Sequence, residues 1–579
     1  MLNPKTAINN LRTFLTKENL DYFLVKYTDE YLNEYVELQN NSRYLLTGFS
    51  GSTGDALVSN EEVFLFVDGR YHIQADEETD SELVNVVKLD LSITQLMAIV
   101  QIIKNNNKNS LKIGIPSTKT SLYFYNKLIE ELNKLGKNVE IIEYEQDPIL
   151  STSNNTKEEL MFVYPDISGE LTEEKYMETI SELKKQGIDT FLITKLEEIA
   201  YLANLRSFAT PYNSTFKGVA LIYDYQLYIF TEVANVVKEI RNKFSPDVIF
   251  KKFEEFETVL QKIKADSEIK TIGYDETSIT LSNYRKLEKL DKNIKNVKPN
   301  PLSEMKSIKN TFELEHFREN FLKTDIVVAR CIQTLNQKLE AGQKMTEKEF
   351  SAMVKKIFDQ EGALSLSFEP ITACATNSAI IHYSSPNPDK NINVGDLFLL
   401  DCGGYFDGGY ATDITRTFIA GGKIAKPEEK AKRIYTKVLK GLLSGLNYPI
   451  NQTTTGYDID KKVREVVTQE VEEGFSFPHG TGHGVGISVH ESPPRLGSSE
   501  LSKTVLKEGM CFTIEPGLYC EGWGGVRLEN TVTVIEEKGS FRIKSLTRSG
   551  FDENLIDYSM LSENEKVWLN KYKQGIIGK

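Results

Sequence analysis

The sequence predicts two consecutive α/β domains of related design followed by an α+β domain in which paired strands are wrapped by helices. Three observations point there. A helix–strand programme in the first 163 residues returns in the next stretch at nearly constant offset. The patterning changes at about residue 305, where long helices come first and strand pairs follow. In the last third, acidic residues sit in or beside apolar, β-prone runs, where a carboxylate without a partner is costly to bury. The expected boundaries are 1–163, 164–304 and 305–579, and 579 residues are too many for one ordinary core.

In chain order, a helix from Thr6 to Asn19 leads to the strand DYFLV, then DALVSN and VFLFVDGRY. The second round brings the helix LTEEKYMETISELKKQG, the strand DTFLIT, then EIAYLANLRS and GVALIYDYQLYIFTE. Matching DYFLV with DTFLI, and VFLFV with LYIFT, reads as a duplicated domain. Linkers are expected in or just after DPILSTSNNTKEE, and near KNVKPNPLSEMKS, where two prolines interrupt the pattern. GFSGSTG lacks the Gly-Lys-Ser/Thr ending of a phosphate loop and reads as a strand-connecting turn.

Beyond 305 come two helical stretches, FELEHFRENFLKTDIVVARCIQTLNQKLEAG and MTEKEFSAMVKKIFDQEG, the second opened by a capping box from Thr346 to Glu349. Strands follow in LSFEPITACAT, DLFLLDCGGYF and YATDITRTFIAGG. One further helix is expected after Lys426 with Pro427 in its first turn, and another near Asp458. MCFTIEPGLY and VRLENTVTVIEE return to strands, so the site is expected on the concave face of a sheet.

A net charge of −14 argues against nucleic acid or an anionic membrane as the main partner, since both reward clustered Lys and Arg. No apolar run approaches the roughly 18–20 residues of a membrane span, and the N-terminal stretch lacks the layout of a secretory signal. Five cysteines without a CxxC pair fit a reducing cytoplasm better than a disulfide framework. Cys402 and Cys511 read as small core residues.

The chemistry concentrates between His382 and Glu529. That stretch holds His382, His479, His483 and His490 together with Asp401, Asp413, Glu515 and Glu529. Asp401 and Asp413 flank the glycine-rich turn GGYFDGG, so a hairpin brings them together. Glu515 and Glu529 flank GLYCEGWGG, the same device again. Taken singly, an Asp after a strand is usually a turn residue and Glu-Pro-Gly is usually a turn. Together with His483 the four acids carry four negative charges, enough to neutralise two divalent cations. An oxygen-dominated set favours hard or borderline ions such as Mn2+. The reading is a two-metal hydrolase site.

HGTGHGVG with VHE, DCGGYFDGGYATDITRT, TIEPGLY and VRLEN resemble the signature blocks of the pita-bread metallopeptidases. GFSGSTGDALVSNEEVFLFVDGRY and ITKLEEIAYLANLRS resemble the two leading, creatinase/prolidase-type domains of the large, three-domain aminopeptidases P, so the resemblance covers the whole chain. It implies that Asp401 binds one metal, that His483 and Glu515 bind the other, and that Asp413 and Glu529 touch both. It gives His382 and His490 substrate-binding and proton-handling roles, has His479 line the pocket, and has Arg70 in DGRY reach the peptide. Arg527 would hold a ligand carboxylate from behind, and Phe368 and Tyr383 are candidate walls for the proline ring. The Asp401–Asp413 interval is one residue longer than the family's, which predicts a loop-out at the hairpin tip. The implied reaction is release of the first residue from peptides with proline second, by attack of a hydroxide held between two divalent ions, with Glu515 as general base. A homodimer in the cytoplasm is implied too. The alternatives are an Xaa-Pro dipeptidase of the prolidase type and a non-catalytic peptide-binding pita-bread protein.

Overall fold

The computed structural model describes residues 3–150, 158–233 and 240–575. The chain divides into two compact units: Met1–Phe162 with Glu170–Pro211 and Thr215–Leu302, and Val163–Gly169 with Tyr212–Ser214 and Ser303–Lys579.

The first unit opens with α1 (Pro4–Lys17). It begins two residues before the expected Thr6, because the Asn3 side chain accepts from the Lys5 amide and Pro4 fills the first helical position, where its missing N–H costs nothing. Six strands follow: β1 (Tyr22–Val25), β2 (Ala56–Val58), β3 (Val63–Val67), β4 (Asn85–Lys88), β5 (Ser110–Pro116) and β6 (Asn138–Tyr144), with α2 (Leu122–Asn133) before the last. They form one mixed sheet in the order β4-β3-β2-β1-β5-β6. GFSGSTG connects a helix to a strand, not two strands: Gly48, at φ +79°, caps the helix Ser42–Thr47 and the loop runs on to β2.

The second repeat runs through α3 (Thr172–Lys185), β7 (Thr190–Ile193), β8 (Val219–Tyr223), β9 (Gln226–Phe230), β10 (Val248–Lys251), β11 (Thr271–Tyr274), α4 (Leu281–Glu288) and β12 (Asn293–Asn296). Its sheet order, β10-β9-β8-β7-β11-β12, repeats the first, and the aligned runs occupy β1 and β7, then β3 and β9. Leu122, Leu128 and Leu132 of α2 share one hydrophobic cluster with Leu281 and Leu287 of α4, which makes the two repeats a single unit. Ser121 and Thr280 cap the equivalent helices and pair with each other in an antiparallel bridge. Of the first expected linker, residues 151–157 lie outside the described residues. The second contains a whole short helix, Pro301–Ser307.

The second unit is α+β. α5 (Thr311–Glu340) starts from a capping box of Asn310 and Glu313, and α6 (Glu347–Gln360) from Thr346 and Glu349, with reciprocal bonds of 2.8 and 3.2 Å. β13 (Ile371–Cys374), β14 (Leu397–Cys402) and β15 (Ile414–Ile419) form an antiparallel sheet. α7 (Glu429–Leu446) has Glu428 at its N-cap position, so Pro427 lies outside the first turn in which it was expected. At that position the ring fixes the approach to the helix and not its first residue. α8 (Gly456–Thr468) carries a Thr455–Asp458 capping box. The chain then adds β16 (Gly482–Gly484), β17 (Glu491–Leu496), β18 (Cys511–Ile514), the hairpin β19 (Gly517–Cys520) and β20 (Gly524–Arg527), β21 (Asn530–Glu537) and β22 (Ser540–Ser545). Among the described residues no helix is long and apolar enough to cross a membrane.

Candidate metal centre

Strand register assembles the acids. β14 and β15 pair with Asp401 opposite Thr415, which leaves Asp413 at the head of the returning strand. The tip between them turns at Asp407–Gly409, where Gly408 and Gly409 both take positive φ. β18 pairs with β21 through Ile514 and Asn530, so Glu515 and Glu529 flank the next pair. HGTGHGVG threads tightly beside them: a Cβ on Gly482 would stand 2.0 Å from the Thr513 carbonyl oxygen, and one on Gly484 would stand 2.4 Å from that of Glu491. Close approach, not left-handed backbone, is what those glycines supply.

Asp413, His483 and Glu529 offer ligand atoms within 4.8 Å of one another. His483 Nε2 lies 3.5 Å from Asp413 Oδ2 and 3.7 Å from Glu515 Oε1. Its Nδ1 lies 3.0 Å from the Gly484 carbonyl oxygen, which fixes Nδ1 as the protonated nitrogen and turns the Nε2 lone pair toward the acids. Arg527 Nη2 donates to Asp401 Oδ2 at 2.6 Å, while Asp401 Oδ1 is buried without a hydrogen-bond partner among the described residues. A buried carboxylate oxygen left in that state is what a cation satisfies. Burial pushes the carboxyls of Asp413 and Glu529 well above the ordinary range, and their neighbours' negative charge adds to it. Glu515 is raised by burial too, with His483 and Arg527 opposing. Four acids, one imidazole and an open oxygen fit divalent ions with hard or borderline preferences.

His490 stacks edge-on against His483 with ring centroids 4.5 Å apart. His479 is 7% exposed, with Nδ1 2.8 Å from the Gly480 carbonyl oxygen and Nε2 2.9 Å from the Tyr519 hydroxyl, and it comes no nearer than 4.0 Å to Glu515. Its ring is engaged within the protein on both sides. His382 is half-buried in the turn after the short helix Ala375–Ala379. The Tyr383 hydroxyl donates to Glu347, and Phe368 is buried. Arg70, in the first unit, pairs with Asp68 at 2.8 Å and donates to Thr53 Oγ1 at 3.2 Å.

Sequence reading missed three supports. Thr415 donates to Glu529 Oε2 at 2.7 Å and accepts from Arg527 Nε at 3.1 Å; its position two after Asp413, on the same strand face, was the available signal. Tyr519 accepts from Arg527 Nη1 at 2.8 Å, and burial raises its phenol, keeping it neutral. Arg464 on α8 donates to the carbonyls of Phe477 and His479, and Asp460 accepts from Thr481, so this pair clamps the histidine strand from behind. Burial pushes the Cys511 thiol up to about 11 and that of Cys402 well beyond its usual range, which leaves both as core residues.

Residues 319–536 match metallopeptidase family M24, and residues 8–146 and 151–313 each match the creatinase/prolidase N-terminal domain. A protein of Paracoccidioides brasiliensis (strain Pb03) named "Probable Xaa-Pro aminopeptidase P" is 30% identical over 99% of this chain and 95% of its own length. The chain belongs to the aminopeptidase P group of the M24 metallopeptidases. Another relative in that group, Xaa-Pro aminopeptidase 1 of Dictyostelium discoideum, is 28% identical over 98% of this chain and 92% of its own. The fold is shared with X-prolyl aminopeptidase of Caenorhabditis elegans, described as a cytosolic enzyme with a di-nuclear active site: TM-score 0.89, 23% identity, 99% of this chain and 95% of that one. The prolidase of Pyrococcus furiosus, 27% identical with a TM-score of 0.51, is covered over 99% of its length but matches only 64% of this chain.

Proposed function

We propose that this protein is a metal-dependent aminopeptidase that releases the N-terminal residue of peptides with proline in second position. The observation that carries this reading is the convergence of Asp413, His483 and Glu529 beside Asp401, whose buried Oδ1 has no donor among the described residues. Asp401 would hold one divalent ion, His483 and Glu515 a second, with Asp413 and Glu529 between them; Mn2+ is the proposed metal. Such ions supply Lewis-acid polarisation of the scissile carbonyl and lower the pKa of water.

The chain's own groups do the rest. Glu515 is the proposed base, since its carboxylate sits beside His483 and its raised proton affinity suits exchange with water. His490, edge-on to His483, is proposed to hydrogen-bond the reacting carbonyl together with His382. His479, in contact with the Tyr519 hydroxyl, is proposed to line the substrate pocket, and Arg70 to hold the peptide. An Xaa–Pro bond is a tertiary amide without N–H, so the pocket has to shelter a ring and offer no acceptor there. The 1–163, 164–304 and 305–579 division remains the proposed functional partition. Free cysteines support a reducing, cytoplasmic setting, and a homodimer is proposed for sedimentation analysis to test.

A dipeptidase reading is disfavoured because the relatives matched along nearly the whole chain are named Xaa-Pro aminopeptidases. The test is Mn2+-dependent release of the first residue from an Arg-Pro-Pro peptide, compared with an Xaa-Pro dipeptide and with the Glu515→Gln variant. Turnover of dipeptides alone, or full activity in the variant, overturns the proposal.

A further inference from the structure

The segment 375–387 carries His382, and one buried acid ties both of its ends. Glu347, the first residue of α6, is 0% exposed. The Cys374 amide donates to its Oε1 at 2.7 Å, and the Asn387 amide to Oε2 at 3.2 Å. Within the segment, Asn377 Nδ2 donates to both oxygens at 3.0 Å and the Tyr383 hydroxyl to Oε2 at 2.7 Å. The Glu347 amide closes the far side by donating to the Lys390 carbonyl at 3.0 Å. All of these donors are neutral, and the acid they hold is the first residue of a helix.

The opposite face of the segment rests on the strand that leads to the metal-site acids. The Gly525 amide of β20 donates to Ser378 Oγ at 2.8 Å, and a Cβ on Gly525 would stand 2.3 Å from the Ser378 carbonyl oxygen. Ala375, where the segment starts, is held at φ +51°, a conformation a non-glycine residue keeps only when its surroundings over-determine it. The segment is therefore gripped between Glu347 and the hairpin that ends at Arg527 and Glu529.

We infer that Glu347 is a positioning residue: it sets the 375–387 segment, and with it His382, against the hairpin of the metal site. This rests on the proposed aminopeptidase function only for the consequence, that His382 meets the substrate. Gln at 347 keeps the shape but presents an NH2 where donors already point, so one set of donors loses its acceptor.

The test is a double-mutant cycle of Glu347→Gln and His382→Ala, read on kcat/KM for an Arg-Pro-Pro peptide, with Mn2+ binding and amide hydrogen exchange measured in parallel. In the wild-type background Glu347→Gln is expected to lower kcat/KM about 10- to 100-fold, the scale of hydrogen bonds to a charged group. In the His382→Ala background it is expected to change it less than about 2-fold. Exchange in 375–387 is expected to quicken at least about 10-fold while 511–531 keeps its protection, and Mn2+ affinity is expected to stay within about 2-fold because no ligand is touched. Equal losses in both backgrounds, or unchanged exchange in 375–387, overturn the inference. If wild-type protein cleaves no Xaa-Pro peptide, the function fails and the exchange result alone decides the role of Glu347. If Glu347→Gln does not fold, Tyr383→Phe removes one donor and carries the same cycle, with an expected loss of about 3- to 10-fold.

Discussion

Glu491 and Glu529 are both glutamates of the second unit, each 1% exposed, and their surroundings are opposite. Glu491 meets Lys306 at 3.1 Å and Lys309 at 2.5 Å and accepts from the Ile487 amide at 3.0 Å. Burial alone would raise its pKa, but the two ammonium groups overcome this and hold it at about 2. Glu529 has the Thr415 hydroxyl and lies beside His483 and further acids, so burial and its acidic neighbours push it well above the ordinary range. The first acid has its countercharge built into the chain, and the second is arranged to receive one. A buried carboxylate in excess of its donors marks a binding site; one matched by lysines marks a piece of architecture.

The largest expected effect is at the acids in excess of their donors. Asp413→Ala should remove metal binding and lower peptide cleavage at least about 1,000-fold, the several kcal/mol a metal contributes to charge stabilisation. Calorimetric titration with Mn2+ and the peptide assay check it. Next, Glu491→Gln should cost about 3–5 kcal/mol of stability, because it strands two buried ammonium groups. Both tryptophans, Trp523 and Trp568, lie in the second unit, so denaturant unfolding followed by their fluorescence reads that unit. The sharper form of the contrast is one of sign. Glu529→Gln should stabilise the metal-free protein by about 1 kcal/mol, since it relieves repulsion that no ligand then offsets. Destabilisation by both substitutions would erase the distinction.

Acid should separate the two sites as well. Glu491 titrates near 4.5 in an unfolded chain and at about 2 in the folded one. A depressed folded pKa contributes stability above the unfolded value that is lost as pH falls toward the folded one. About 3 kcal/mol should therefore disappear between pH 4.5 and about 2. Tryptophan-monitored stability across that range should lose this component in Glu491→Gln; an equal loss in the variant would assign the acid sensitivity elsewhere.

The proposed ligands were legible because an acid inside a strand-like apolar run is conspicuous, and two glycine-rich turns told which acids would meet. The repeat was legible because strands of like period recur at one spacing, and the sheet orders repeat as that spacing requires. What sequence could not supply was partnership at a distance. Lys309 lies 182 residues before Glu491, and nothing local marks either as half of a pair. Glu347 reads only as the first-turn acid of a helix, although its donors lie 27 to 40 residues away. His479 stood out as an imidazole beside His483, yet the Tyr519 hydroxyl that engages it belongs to a segment where tyrosine looks like an ordinary strand residue.

Smaller effects should follow the supports of the acids. Arg527→Met leaves Asp401 without its donor and should weaken metal binding about 100-fold, the upper end for a residue that orients a ligand. Thr415→Val is the finer probe. Its hydroxyl donates to Glu529 Oε2 and accepts from Arg527 Nε, so a single atom couples the proposed ligand to the arginine that holds Asp401. Valine keeps the volume and the β-branch, and the strand pairing with Asp401 runs through backbone alone. Removing the hydroxyl should therefore weaken Mn2+ binding about 10-fold without moving the unfolding midpoint of the metal-free protein. It should also leave the acid limb set by Glu491 where it is. Equal losses of metal affinity and of metal-free stability would mean that Thr415 serves the packing of β15, and that the coupling between Arg527 and Glu529 does not reach the metal site.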